Sequence, residues 1–128
     1  MSLCGENPLA RILIMDDNAA VRLALHKLLK NLGHDITEAC NAAEGAKLYA
    51  SLCPDLVITD LLMPERDGIE ALLELRTKYP HVKTIVISGE APEFLPIAED
   101  LGANFTIAKP FKNQDVINAV NRLLAQTP

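Results

Sequence analysis

Chemistry-bearing side chains recur at the ends of short apolar runs. Asp16 and Asp17 follow Ile12-Leu13-Ile14-Met15, and Asp60 follows Leu56-Val57-Ile58-Thr59. Ser88 follows Ile85-Val86-Ile87, and Lys109 stands between Ala108 and Pro110. Three carboxylates brought within a few ångströms repel one another and drive at least one pKa upward unless a cation lies between them. A hard ion such as Mg²⁺ meets that need, because it takes one or two carboxylates together with waters and phosphate oxygens. Mn²⁺, which also favours carboxylate and water, could substitute. With an amine and a hydroxyl alongside, the set suits phosphoryl transfer: a nucleophilic carboxylate, a cation spanning phosphoryl oxygens, and partners for the developing charge. Charge alone does not say which carboxylate is the nucleophile.

The elements that must position these groups are legible in the hydropathy pattern. Strand-like segments at 11–15, 35–39, 55–59, 82–87 and 104–108 alternate with stretches whose apolar residues recur every three or four positions. That alternation predicts an α/β fold with a parallel sheet, and the near-continuous apolar strands predict helices on both faces. Val21, Leu25, Leu28, Leu29 and Leu32 mark a first helix that Gly33 is placed to end. Ala42, Ala46, Tyr49 and Ala50 mark a second, and Ile69, Leu72 and Leu73 a third that stops before Pro80. In the fourth, Phe94, Ile97, Ala98 and Leu101 have helical spacing, but Pro92 and Pro96 interrupt it. A short helix begun by Pro96 fits best, with a longer loop over 89–95 before it. The fifth, capped by Asn113 or its neighbour, turns Val116, Ile117, Val120, Leu123 and Leu124 inward. In an open parallel sheet, ligands bind beyond the carboxyl ends of the strands. Four of the five predicted strands end there in a polar residue of the set, and only the second does not.

With 128 residues and a net charge of -5, the chain is expected to form one domain over 11–126. Residues 1–10 read as an N-terminal extension, Met1-Ser2-Leu3 as an expression-tag remnant, and 127–128 as the C-terminal end. The acidic balance argues against direct nucleic-acid binding, and no apolar run approaches the ~20 residues that span a bilayer. No secretory signal is evident, so the expected location is cytoplasmic. Cys4, Cys40 and Cys53 lack metal-ligand or paired spacing and are expected to be reduced, buried thiols. His26, His34 and His81 are scattered and are expected at the surface or at helix ends. Neither dinucleotide-binding nor phosphate-loop glycine patterns occur.

The run Asp60-Leu61-Leu62-Met63-Pro64-Glu65-Arg66-Asp67-Gly68 resembles the phosphoacceptor segment of response-regulator receiver domains. Asp16-Asp17, Ser88-Gly89 and Lys109-Pro110-Phe111 match the same family in order, so that the resemblance runs from Arg11 to Leu124. It implies a doubly wound, flavodoxin-like (βα)5 fold with strand order 2-1-3-4-5, close to chemotaxis regulators. It also implies a phosphorylation switch in two-component signalling. Asp60 would accept a phosphoryl group from a sensor histidine kinase or a phosphotransfer protein. Asp17 and Asp60 would bind Mg²⁺ directly, Asp16 through a water, and the backbone carbonyl of Leu62 would add an oxygen. Ser88 would hydrogen-bond the phosphoryl group, and Lys109 would pair with Asp60 or its phosphate. The peptide before Pro110 is often cis in this family. Such a domain is not an enzyme in the ordinary sense, since it catalyses only its own phosphorylation and dephosphorylation. An effector domain or a homodimer would carry the output.

Taken singly, each motif has an ordinary alternative: Asp16 a cap neighbour, Ser88 a turn residue, Lys109 a surface amine, Asp67 a helix cap. Convergence at one sheet edge is what makes them a site. The chain departs from the family where an aromatic commonly stands, three residues before the lysine; here that position is Thr106. Strand alternation aims the adjacent Phe105 at the opposite face, where core packing is expected. In related domains the positions of Leu62 and Glu90 border the path of an attacking water, so the resemblance implies that an apolar Leu62 slows dephosphorylation. A haloacid-dehalogenase-type phosphatase is disfavoured, because its paired acids stand two apart at the first strand. A phosphorylation-independent receiver is disfavoured because no acid and no lysine is lost.

Overall fold

The structure, a computed structural model, describes residues 10–60, 68–88, 95–100 and 102–125. Strands β1 (Arg11–Met15), β2 (Asp35–Ala39), β3 (Leu56–Asp60), β4 (Lys83–Ser88) and β5 (Phe105–Ala108) alternate with five helices. The helices are α1 (Ala19–Lys30), α2 (Ala42–Leu52), α3 (Gly68–Lys78), α4 (Leu95–Asp100) and α5 (Asn113–Ala125). All strand pairs are parallel, as the apolar pattern predicted, and the order is β2-β1-β3-β4-β5, as the family resemblance implied.

Two apolar layers sandwich the sheet. Ile12, Ile14, Leu56, Ile58, Ile85 and Ile87 face Leu25 and Leu29 of α1 and Val116, Val120 and Leu123 of α5. Leu13, Met15 and Val57, pointing the other way by strand alternation, meet Tyr49 of α2 and Leu75 of α3. The central strands β1, β3 and β4 are buried on both faces, whereas the edge strands β2 and β5 are partly open. Gly45 in α2 makes the second layer possible, because a Cβ there would collide with the Met15 sulfur.

Local caps fix where the helices begin. The Asn18 side chain accepts from the N–H groups of Ala20 and Val21 at the start of α1. At α2, Asn41 accepts from the N–H of Glu44, while the Glu44 carboxylate accepts from the N–H of Cys40. The first helix closes at Asn31, and Gly33 follows in the left-handed region at φ 97°. Asn113 is the first residue of α5, and the carbonyl of its neighbour Lys112 accepts from Val116. The fourth helix is the short one expected, with Pro96 in its first turn, where a missing N–H costs nothing.

Several expectations need correction. The starts of β3 and β5 lie one residue later than read because side chains replace the backbone there. The Asp55 carboxylate accepts from the Arg11 N–H, and the Asn104 side chain accepts from the Thr84 N–H. The start of β4 also moves by one, since the Val82 N–H turns back to the Tyr79 carbonyl. Cys40 and Cys53 are free thiols but exposed rather than buried, because both lie at the ends of α2. Cys53 adopts a left-handed conformation, φ 48°, as the C-cap. His34 is buried, and both its ring nitrogens lack hydrogen-bond partners among the described residues. Cys4, Leu62, Glu65, Arg66, Asp67, Gly89, Glu90, Pro92, Phe94 and Leu101 lie outside the described residues.

Candidate functional site

The carboxyl ends of β1, β3, β4 and β5 lie along one edge of the sheet, and their last residues converge. Asp16, 3% exposed, follows β1, and Asp60, 8% exposed, ends β3. Asp17, beside Asp16, is exposed. Carboxylate oxygens of the three lie within 4.8 Å of one another. From the end of β5, the Lys109 ammonium donates to Asp60 Oδ2 at 2.9 Å and to Asp16 Oδ2 at 3.2 Å. Lys109 follows a backbone bond from its own N–H to the Ser88 carbonyl at 2.9 Å, and the Lys109–Pro110 peptide is cis. Ser88 is 1% exposed, and its Oγ has no partner among the described residues.

Burial is the main force pushing the Asp16 carboxyl above its usual 3.8, with Asp60 adding to it. The bonds from the Asn18 N–H and from Lys109 oppose the rise without cancelling it. For Lys109, burial works against the ammonium, but the hydrogen bond to Asp60 and the charges of both acids outweigh it and raise its pKa. One lysine therefore holds two buried carboxylates together, while a third, Asp17, brings negative charge without a counter-charge in that pair. The donor set is all oxygen, clustered and electron-rich, and it fits a hard divalent cation. The orphaned Ser88 hydroxyl beside it fits a further oxygen-bearing group.

The response regulator receiver domain family matches residues 12–121 of the chain. The chain belongs to that family. The chemotaxis protein CheY of Thermotoga maritima is 36% identical over 115 residues, covering 88% of the chain and 96% of that protein. CheY of Bacillus subtilis is 37% identical over 116 residues, with 89% and 97% covered. Among solved structures, a response regulator receiver domain protein of Clostridium thermocellum superposes with a TM-score of 0.85 at 30% identity. That alignment covers 90% of the chain and 94% of the other protein. The match to the transcriptional regulator NtrC of Rhizobium meliloti, 32% identical, covers 91% of the chain but 24% of that longer protein.

As a receiver domain of two-component response regulators, the chain is a signalling module rather than a classical enzyme. Receiver domains bind Mg²⁺ at an acidic pocket, interact with histidine kinases and often carry effector domains. No helix among the described residues is long and apolar enough to cross a membrane. Of the site residues read from the sequence, Asp16, Asp17, Asp60, Ser88 and Lys109 stand at one edge, and Leu62 lies outside the described residues. Phe105 packs on the α1/α5 layer as alternation required, with the Arg122 guanidinium 5.9 Å from its ring centroid. Thr106, on the other face, donates from its hydroxyl to Glu99 of α4 at 3.3 Å. Sequence reading missed a second polar group behind the acids: Arg22 and His26 of α1 with Glu38 of β2. An arginine and a histidine four apart on one helix were the available signal, but nothing in the sequence ties them to Glu38.

Proposed function

We propose that this receiver domain accepts a phosphoryl group on Asp60, from a histidine kinase or a phosphotransfer protein, in a reaction that requires Mg²⁺. The observation that carries the reading is the Lys109 ammonium spanning Asp60 and Asp16, with a Ser88 hydroxyl unpartnered among the described residues at the next strand end. An Asp60 carboxylate oxygen forms the new O–P bond as the donor's P–N bond to histidine breaks. The bonding pair stays on the imidazole nitrogen, which takes a proton from solvent, and an acyl phosphate remains on Asp60. Lys109 donates to a phosphoryl oxygen in place of one carboxylate oxygen, and Ser88 supplies a hydroxyl donor to another.

The residues that would hold the cation are Asp17 and Asp60 directly, the Leu62 backbone carbonyl, and Asp16 through water. Asp16 suits the indirect role because both its oxygens already accept bonds, one from the Asn18 N–H at 2.8 Å and one from Lys109. Bound there, Mg²⁺ or Mn²⁺ would neutralise charge on the phosphoryl oxygens. The altered charge at this edge would then change an output surface read by an effector domain or by a second copy. Incubation with a small phosphodonor and Mg²⁺, followed by intact mass measurement, is expected to show one added phosphoryl group that Asp60→Asn abolishes. An adduct that persists in Asp60→Asn overturns the assignment.

A further inference from the structure

Behind the acid pair lies a polar chain that does not touch the phosphoacceptor. Arg22 of α1 donates from its guanidinium to the backbone carbonyl of Asp16 at 2.6 Å and, through Nε, to Glu38 of β2 at 3.1 Å. The other Glu38 oxygen meets the His26 ring nitrogen Nδ1 at 2.6 Å. Arg22 is thus gripped at two points of its planar fork, a geometry an ammonium cannot reproduce. Its side chain is 18% exposed, so the bond to Asp16 is shielded from competing water.

The carbonyl that Arg22 holds belongs to the peptide linking Asp16 to Asp17. Peptide planarity ties that oxygen rigidly to the Asp17 N–H and Cα. Fixing the direction of the carbonyl therefore fixes the rotation of the plane from which Asp17 projects. Asp16 is held independently: its N–H donates to Ala39 at 3.1 Å, and its carboxylate is engaged by Asn18 and Lys109. Asp17 is exposed, and Arg22 is what orients the peptide that leads to it.

We infer that Arg22, braced by Glu38 and His26, is a positioning residue for the divalent-cation site, setting Asp17 where it can ligate. The inference rests on the phosphoacceptor reading only in taking Asp17 as a direct cation ligand. It makes a prediction of definite sign. A cation beside three carboxylates opposes Mg²⁺ by charge alone, so removing Arg22 would tighten binding if charge were its whole role. Positioning requires the opposite.

The test is a Mg²⁺ titration of the whole unphosphorylated chain, followed by amide chemical shifts in nitrogen-15 NMR, with thermal melting in Mg²⁺-free buffer as a check of folding. Arg22→Ala is expected to weaken Mg²⁺ binding about tenfold, the scale typical of lost outer partners of ligands. Arg22→Lys, which can reach one partner but not both, is expected to recover part of the loss. Glu38→Gln, which leaves the Arg22 charge unbalanced, is expected to weaken binding about threefold, less than a lost outer partner costs. Unchanged or tighter binding in a folded Arg22→Ala overturns the inference. Should Arg22→Ala fail to fold, wild-type affinity in both Arg22→Lys and Glu38→Gln overturns it equally. A wild-type chain that is phosphorylated while Arg22→Ala binds Mg²⁺ normally removes this inference alone. A wild-type chain that binds Mg²⁺ in an Arg22-dependent way but takes no phosphoryl group removes the phosphoacceptor reading and leaves this one standing.

Discussion

Replacing Lys109 with methionine keeps most of the side-chain volume and removes the charge that holds Asp16 and Asp60 together. Their carboxylate oxygens lie within 4.8 Å of each other. At an effective dielectric of about 20, that separation gives a repulsion of about 3.5 kcal/mol. Water entry, local relaxation and partial protonation will relieve some of it, leaving an expected loss of about 2 kcal/mol at neutral pH without Mg²⁺. For a domain of this size, that lowers the melting temperature by roughly 8 °C. The pH dependence carries the mechanism. Without Lys109, the buried Asp16 carboxyl has a folded-state pKa further above its unfolded 3.8, so the folded form binds a proton more readily than the unfolded chain. The stability of the variant relative to the wild type, which shares His34, should therefore rise as pH falls from 8 toward 5. Mg²⁺ should act in the same direction, returning about 2.7 kcal/mol at a hundredfold excess over its dissociation constant. The chain has no tryptophan, so urea unfolding should be followed by far-ultraviolet circular dichroism across that pH range. A Lys109→Met variant with the wild-type pH profile, or one that Mg²⁺ does not stabilise, would refute the reasoning.

Two further outcomes are expected. Burial holds the His34 imidazole below its usual 6.5, so the unfolded chain binds a proton that the folded chain excludes. The contribution of His34 to stability should therefore be lost as pH drops through about 6.5, by up to about 1.4 kcal/mol per pH unit. In His34→Leu, denaturant melts should show that limb flattened and stability raised by about 1 kcal/mol, since two unpartnered ring nitrogens are removed; an unchanged slope would contradict this. Leu62→Asn should shorten the lifetime of the acyl phosphate, because an amide can orient an attacking water and a leucine cannot. Decay of the phosphorylated mass measures it, and an unchanged or longer lifetime would count against the idea.

The sheet was legible because its central strands are nearly all apolar, and β1 and β2 agree with their predicted bounds to the residue. The starts of the other strands slipped at Asp55, Val82 and Asn104, where side-chain hydrogen bonds or a turn replace the ladder, a substitution that hydropathy does not register, and β3 and β4 each run one residue further than expected, to Asp60 and Ser88. The site was legible for a different reason: polar residues that end apolar runs in a parallel sheet must share an edge, so order along the chain became proximity. The burial of His34, Cys40 and Cys53 was misread because composition speaks to average burial, while these residues obey local position after α1 and at the ends of α2. The Arg22–Glu38–His26 chain was invisible because it joins a helix to an edge strand across 16 and 12 residues. Thr106 was noticed as a departure, but its bond to Glu99 needed α4 to be placed first.

The central claim is that Asp60, and neither neighbour in the acid cluster, carries the phosphoryl group. Phosphorylation with a small donor and Mg²⁺, borohydride reduction of the acyl phosphate to homoserine, and peptide mapping locate the modified residue directly. Conversion at position 60 alone is the predicted result. Conversion at Asp16 or Asp17, or none in a chain whose mass shows a phosphoryl group, would contradict the account.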